Sequence, residues 1–362
     1  MRLPLLAAAL LALAGPTLAQ EDPPAAPAAP APAVAIDHAA VARRALDRQI
    51  LPGFRSLADA AVRLAADAEA ACAPGSGADP DAAVRAAYDA AFDAWARIGF
   101  VRFGPAEENS TGFAVEFWPD TKGSTPRSLE ALVATEDPVV DDPAAFAQVS
   151  VAARGLMALD QLLFDPAAVA VEPGSYRCRL LVAITRDLAD TTGQLVARWQ
   201  DPWGGILTSA GDPANPVYLT PAESTKALYA ALSDGLQMDI DLRLGRPLGT
   251  FDRPQPRRAE AWRSERSLPN LVASIEGMRA YATSVFGPAI GEDAAPVDAA
   301  FDAALAAAGR VVAPIDVEVA SPQGRIHVEA LQTALRHVQS EVASHIGPTI
   351  GVTGGFNARD GD

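Results

Sequence analysis

Apolar positions recur every three to four residues along most of the chain beyond residue 36. Ile50, Phe54, Leu57, Ala61, Leu64 and Ala68 step by 4, 3, 4, 3 and 4. That spacing predicts one face of a bundle helix, and Pro52 inside it predicts a kink. Val84, Tyr88, Ala91, Trp95 and Ile98 repeat the pattern, with Asp79 as N-cap and Pro80 at the first helical position. Asp142-Pro143 is expected to open a helix carrying Phe146, Val149, Ala153, Leu156, Asp160 and Leu163 on one stripe. A longer helix buries Leu181, Ile184, Leu188, Leu195 and Trp199. Thr220-Pro221-Ala222-Glu223 reads as a capping box, opening a helix that runs to about Arg243. Further helices fit Ser267 to Phe286, Val297 to Val312 and Arg325 to Ile346. No segment alternates as a strand does, and no βαβ rhythm is present. The expected fold class is all-α, packed as helical bundles.

Two segments interrupt this pattern in a similar way. Arg102-Phe103-Gly104-Pro105, Trp118-Pro119-Asp120 and Ser128-Leu129 match Arg243-Leu244-Gly245, Trp262-Arg263-Ser264 and Ser267-Leu268 at offsets of 141, 144 and 139 residues. A helix end, an irregular Trp-bearing loop and a new helix start thus occur twice. The repeat predicts two tandem pseudo-symmetric bundles, over residues 36–200 and 201–362, with the two loops at a shared cleft.

The N-terminus adds a destination. Arg2 followed by the apolar run Leu3 to Ala14 and small residues at Thr17 and Ala19 predicts a signal peptide over 1–19, cleaved before Gln20. Export to a bacterial periplasm is the expected localisation. Residues 20–35 hold five prolines in an Ala-rich run, which predicts an extended linker. No later run is long and apolar enough for a transmembrane segment. The chain carries 29 Lys plus Arg against 45 Asp plus Glu, a net charge of -16. So acidic a surface repels phosphate backbones, so no nucleic-acid partner is expected. Cys72 and Cys178 are the only cysteines, and in an oxidising compartment they are expected to form a disulfide.

The chemistry-bearing residues are few. His337, Glu341 and His345 stand at i, i+4 and i+8 on the last helix. That spacing offers imidazole, carboxylate and imidazole to a divalent or ferric metal ion. The alternative is a histidine at a core edge and helix C-terminus. Asp160 sits between Leu156 and Leu163, where a bare carboxylate is costly. It requires an arginine, a metal or a dense hydrogen-bond set, and Arg102, Arg154, Arg243 and Arg263 are the possible partners. The C-terminal GFNARDGD gathers Asp360 and Asp362 beside the apolar Phe356, a composition that suits a hard cation or a docked tail.

Several of these features together resemble the imelysin family. They are Trp118-Pro119-Asp120, Gly155-Leu156-Met157-Ala158-Leu159-Asp160, Trp262-Arg263-Ser264 with Ser267-Leu268, and the GFNARDGD ending. The resemblance implies two pseudo-symmetric helical bundles with a site between them. It also implies an extracytoplasmic protein linked to iron acquisition, with a metal ion or small ligand, and an envelope protein, as partners. The residues so implicated in binding are Arg102, Trp118, Asp120, Gly155, Met157, Asp160, Trp262, Arg263, Ser267, Phe356, Asn357, Asp360 and Asp362. The family is named for a metallopeptidase whose hallmark is Gly-x-His-x-x-Glu. Gly155, Met157 and Asp160 fall on that motif, with Met replacing His and Asp replacing Glu. A thioether is a poor ligand for zinc or ferric iron, so the expected role is non-catalytic binding rather than peptide hydrolysis. A metal-free interaction module is the remaining alternative.

Overall fold

The first long apolar stripe forms one continuous right-handed helical run. It comprises α1 (His38–Ala45), a π turn (Leu46–Ile50) and α2 (Leu51–Cys72). Pro52 falls in the first turn of α2, where its missing N–H is tolerated, and the widened π turn before it takes the place of the expected sharp kink. The computed structural model describes residues 36–73, 80–166 and 171–352. The signal-peptide and linker positions 1–35, and Phe356, Asn357, Asp360 and Asp362 of the tail, lie outside the described residues.

Helices α3 (Pro80–Ile98), α4 (Thr111–Val115) and α5 (Ser124–Thr135) follow. The stripe expected to run unbroken from Asp142 is in fact divided. Asp142 caps only the short α6 (Pro143–Phe146), a 3-10 turn covers Val151–Ala153, and α7 (Gly155–Phe164) starts afresh. The break is set at Gly155, which has φ +67°. A Cβ there would lie 2.3 Å from the Ala114 carbonyl oxygen and 2.4 Å from that of Val115. Glycine therefore serves both the backbone conformation and the close approach. Next come α8 (Tyr176–Arg198), α9 (Gly204–Thr208) and α10 (Pro221–Met238). The capping box at Thr220 is only half formed. Glu223 accepts from the Leu219 N–H at 2.8 Å and the Thr220 hydroxyl at 3.2 Å, but Thr220 caps no backbone N–H. A π segment (Asp239–Gly245), α11 (Arg246–Leu248), α12 (Ser267–Tyr281) and α13 (Gly287–Ile290) lead to α14 (Ala294–Ala308), α15 (Ile315–Glu318) and α16 (Pro322–His345).

The fold is all-α, with no strand among the described residues. Helix α2 packs between α3 and α8, α14 packs on α16, and α12 lies along α3. One hydrophobic cluster runs through all of them, with Phe54, Tyr88, Trp95, Trp199, Tyr281 and Phe301 fully buried. The α3–α12 contact is the joint between early and late helices. At Gly277 a Cβ would stand 2.1 Å from the Arg97 carbonyl oxygen, so only glycine lets the two backbones approach this closely. Cys72 and Cys178 form the expected disulfide, with Cα atoms 5.6 Å apart, tying the end of α2 to the start of α8.

Candidate functional site

The irregular segment before α12 reaches this joint and carries polar groups in two directions. It is anchored by Ala259 and Ala261, both buried. The Arg266 N–H closes it on the Ala261 carbonyl at 3.1 Å. Ala261 and Glu265 have φ of +43° and +59°, a conformation that costs a side-chain-bearing residue energy and is held only where the surroundings fix it.

In one direction the loop meets α7. Asp160 is fully buried. Its Oδ1 accepts from the Ser264 hydroxyl at 2.6 Å and from the Ser264 backbone N–H at 3.1 Å. Arg263 Nη1 stands 3.7 Å from Oδ2, and Arg263 Nε donates to Asp165 at 3.2 Å. The guanidinium lies 4.5 Å from the Trp262 ring centroid, a cation–π contact that fixes its plane. Tyr88 from α3 places its hydroxyl 3.4 Å from Ser264 Oγ. Burial pushes the Asp160 carboxyl up to about 6, although the Ser264 hydrogen bonds and the Arg263 charge pull against it. Of the four arginines that were possible partners, Arg263 holds this carboxylate. Arg154 makes a two-pronged pair with Asp187, at 2.7 and 2.8 Å. Arg102 and Arg243 belong to the other side of the loop.

On that side Glu260 is buried among charges. Arg243 donates to Glu260 at 2.8 Å and to Asp239 at 2.6 Å, and Asn270 donates to Glu260 at 3.0 Å. Glu116 accepts from the Trp95 indole N–H at 2.7 Å and from Arg102 at 3.2 Å. The carboxyl groups of Glu116 and Glu260 lie close enough for each to act on the other's charge, and Glu116 Oε1 is buried without a hydrogen-bond partner. Two like charges buried side by side favour a proton on one of them. Burial, then the Glu260 charge, raise Glu116 to about 8. Against the same burial, the Arg243 charge first, and the Arg243 and Asn270 hydrogen bonds, hold Glu260 below the usual carboxylate range. Burial also raises Asp239, to about 6, while Arg243 opposes it. Two arginines, two carboxylates and one neutral acid then sum to zero, which is how so many charged groups persist without water.

The remaining expected site residues have separate positions. Trp118 is buried, beside a cis peptide bond to Pro119. Asp120 accepts from the Thr125 N–H at 2.8 Å and the Lys122 N–H at 3.2 Å. These bonds, with the Ser124 N–H, outweigh burial and lower its pKa. Ser267 is buried and its hydroxyl accepts from the Ile315 N–H at 3.0 Å. Met157 is half-buried against the core, one turn before Asp160 on α7. His345 contacts Glu341 at 3.1 Å and Asp293 at 3.5 Å, and His337 lies 3.6 Å from Glu341. Thus Asp160, Trp262 and Arg263 converge, Arg102 lies across the same loop, and the His337–Glu341–His345 set stands apart on α16.

Sequence reasoning missed Glu116, Asp239 and Glu260 as buried acids, and Ser264 as a ligand of Asp160. A usable signal was present for two of them. Glu116 lies within Ala-Val-Glu-Phe-Trp, and Asp239 between Met238 and Ile240, which is the anomaly that singled out Asp160.

The donor set at Asp160 does not fit a resident metal ion. Oδ1 is committed to Ser264, Oδ2 faces a guanidinium cation, and the neighbouring motif position is a thioether. Among the described residues no three His, Cys, Asp or Glu side chains are arranged to hold a metal, and no helix is long and apolar enough to cross a membrane.

Comparison with known proteins adds a lineage. The family model described as Imelysin matches residues 50–342. "Iron-regulated protein A" of Synechococcus elongatus is 26% identical over 328 residues, covering 84% of this chain and 85% of the relative. The crystal structure of an imelysin-like protein from Psychrobacter arcticum superposes with a TM-score of 0.73 at 17% identity, covering 89% of this chain and 100% of the other. That of a putative iron-regulated protein A precursor from Parabacteroides distasonis gives 0.64 at 14% identity, covering 84% and 94%.

Proposed function

The chain belongs to the imelysin family, and from that premise we propose that it is a periplasmic protein with a non-catalytic role in iron acquisition. The similarity to iron-regulated protein A supports the iron link. The signal-peptide pattern of residues 1–19 and the Cys72–Cys178 disulfide support export. The division into bundles over 36–200 and 201–362 is part of this reading, with the loop of Glu260, Arg263 and Ser264 at their junction.

One observation carries the non-catalytic part. Where the family hallmark has His and Glu, this chain has Met157 and an Asp160 bound by Ser264 and Arg263. Hydrolysis by a metallopeptidase needs a metal with an open coordination position to activate water. Here an arginine holds the place of positive charge beside the carboxylate. The side chains that remain do binding and positioning work. Ser264 and Arg263 fix Asp160, and Trp262 fixes Arg263.

The test has two parts. Metal-supplemented protein incubated with unfolded polypeptides is expected to leave them intact. Cells lacking the chain are expected to accumulate less radioactive iron under iron limitation, and the intact gene to restore it. Chelator-sensitive cleavage lost in Asp160→Ala contradicts the non-catalytic reading. Unchanged iron accumulation contradicts the iron reading.

A further inference from the structure

A large cavity among the described residues is lined by none of the residues of the Asp160 and Glu260 loop. It is a groove of about 1000 Å³ whose long wall is α8 and whose other wall runs through Asp141, Ala144 and Gln148, with Asn109 and Thr111 at one end. Helix α8 has two faces. Leu180, Leu181, Ile184, Leu188 and Leu195 are buried against the core. Arg179, Arg186, Asp187, Asp190, Gln194 and Arg198 face the groove. A polar helix face is ordinarily left open to solvent. Here a second wall is built beside it, enough to bury Asp187 and Thr191.

The charges along this wall are ordered. The Arg154–Asp187 pair forms a fixed base, and Arg154 also donates to the Ala147 carbonyl at 2.8 Å. Arg179 and Arg186 stand seven residues apart, about 10 Å along the helix axis. Their partners are exposed. Arg179 is 3.3 Å from Asp141 and Arg186 is 2.5 Å from Glu69, with about half of each side chain open to solvent. Such exposed pairs contribute about 1 kcal/mol or less, so either guanidinium can turn to a better acceptor. At the far end Arg198 pairs with Glu108, and the adjoining backbone is strained. Asn109 and Ser110 have φ of +52° and +58°, consecutive left-handed residues of which neither is glycine. The protein as a whole carries -16 and repels anions. The groove, by contrast, is lined by four arginines and by Glu69, Asp141, Asp187 and Asp190, with Glu108 on Arg198 at its end, so its charge is far closer to balance than that of the whole protein.

We infer that this groove is a binding site for a small polycarboxylate anion, with Arg179 and Arg186, rooted about 10 Å apart on one helix face, converging on its carboxylates. Such anions exist free and as ferric chelates. The chelate would make the groove the place where the iron-linked role proposed above is exercised. The anion site stands on the groove alone; only its link to iron rests on that reading.

The experiment is calorimetric titration of the mature protein with citrate and, separately, with ferric citrate. At least one probe is expected to bind, more weakly as salt is raised. Arg179→Ser/Arg186→Ser is expected to lose about tenfold or more in affinity with an unchanged thermal midpoint. Arg253→Ser/Arg310→Ser, exposed arginines outside the groove, is expected to bind as the parent does. Absence of binding by both probes overturns the inference, and so does binding that the groove variant does not weaken. Equal binding of citrate and ferric citrate keeps the anion site and removes its link to iron. Binding of ferric citrate alone supports both.

Discussion

The two sides of the loop before α12 solve one problem in different ways. Both bury carboxylates that the core cannot leave bare. Beside Glu260 the solution is a closed network in which Arg243, Arg102 and a retained proton cancel the charge. Beside Asp160 it is a shorter arrangement of one serine and one arginine, and that arginine is itself one-fifth exposed. The first has its four acidic and basic groups Glu116, Asp239, Arg243 and Glu260 buried, with only Arg102 reaching solvent at its edge, and its members depend on one another. The second is edge-on to solvent and rests on few contacts. The first therefore behaves as a joint that fixes α3, the Asp239–Gly245 π segment and α12, and the second as the accessible part of the motif.

The largest contrast is expected from removing the cation of each side. Arg243→Met leaves Asp239 and Glu260 buried without their partner, and should destabilise the protein by about 3–5 kcal/mol in chemical denaturation. Arg263→Met should cost well under half of that, because Ser264 still serves Asp160. Equal losses would break the distinction.

The next effect is a pH dependence that belongs to the Glu260 side. Glu116 is raised to about 8, and Asp160 and Asp239 to about 6. A carboxyl raised by folding binds its proton more tightly in the folded state. Its contribution is therefore full below the ordinary carboxylate value and is lost as pH rises through the folded one. Through Glu116, unfolding free energy should fall between pH 6 and pH 9 by on the order of 3 kcal/mol, the Asp160 and Asp239 contributions being lost mainly below pH 7. Glu116→Gln keeps the shape and an oxygen for the Trp95 and Arg102 donors but has no titrating proton. It should flatten the curve above pH 6 with little loss at pH 5. A curve unchanged by Glu116→Gln would place the proton elsewhere.

Smaller effects sharpen the other side. Asn at 160 still accepts both Ser264 hydrogen bonds, so Asp160→Asn should cost about 1 kcal/mol. Asp120→Ala should cost about the same through lost turn bonds to the Lys122 and Thr125 N–H groups, with no effect on ligand titrations.

Much of the fold was legible in the sequence because long helices announce themselves by period. The presence of α2, α3, α8 and α16 follows from apolar spacing, and Pro80 marks the start of α3, whereas α16 begins at Pro322 rather than at the expected Arg325 and the expected cap Asp79 lies outside the described residues. The stripe from Phe146 to Leu163 was misread as one helix because periodicity does not register backbone collisions. Only the packing of Gly155 on the Ala114 and Val115 carbonyls shows why the chain restarts there. At the site, Asp160 was legible as a carboxylate among apolar residues, and Arg263 as one of four possible partners. The choice among the four is a matter of tertiary distance, which one sequence does not contain. Glu260 was hidden for a different reason. It lies in a polar, arginine-rich loop where a glutamate looks solvated, and its partners in the interior, Arg243 of the π segment and Asn270 of α12, are distant in sequence or fixed only by packing.

The central claim is that the motif position of this imelysin-family chain is held by arginine and serine and takes no resident metal ion. The most direct measurement is the metal content of the mature protein and of Asp160→Asn, after loading with iron or zinc and gel filtration. The account predicts no stoichiometric metal attributable to Asp160, so the two proteins should give the same content. One equivalent retained by the parent and lost in Asp160→Asn would contradict it.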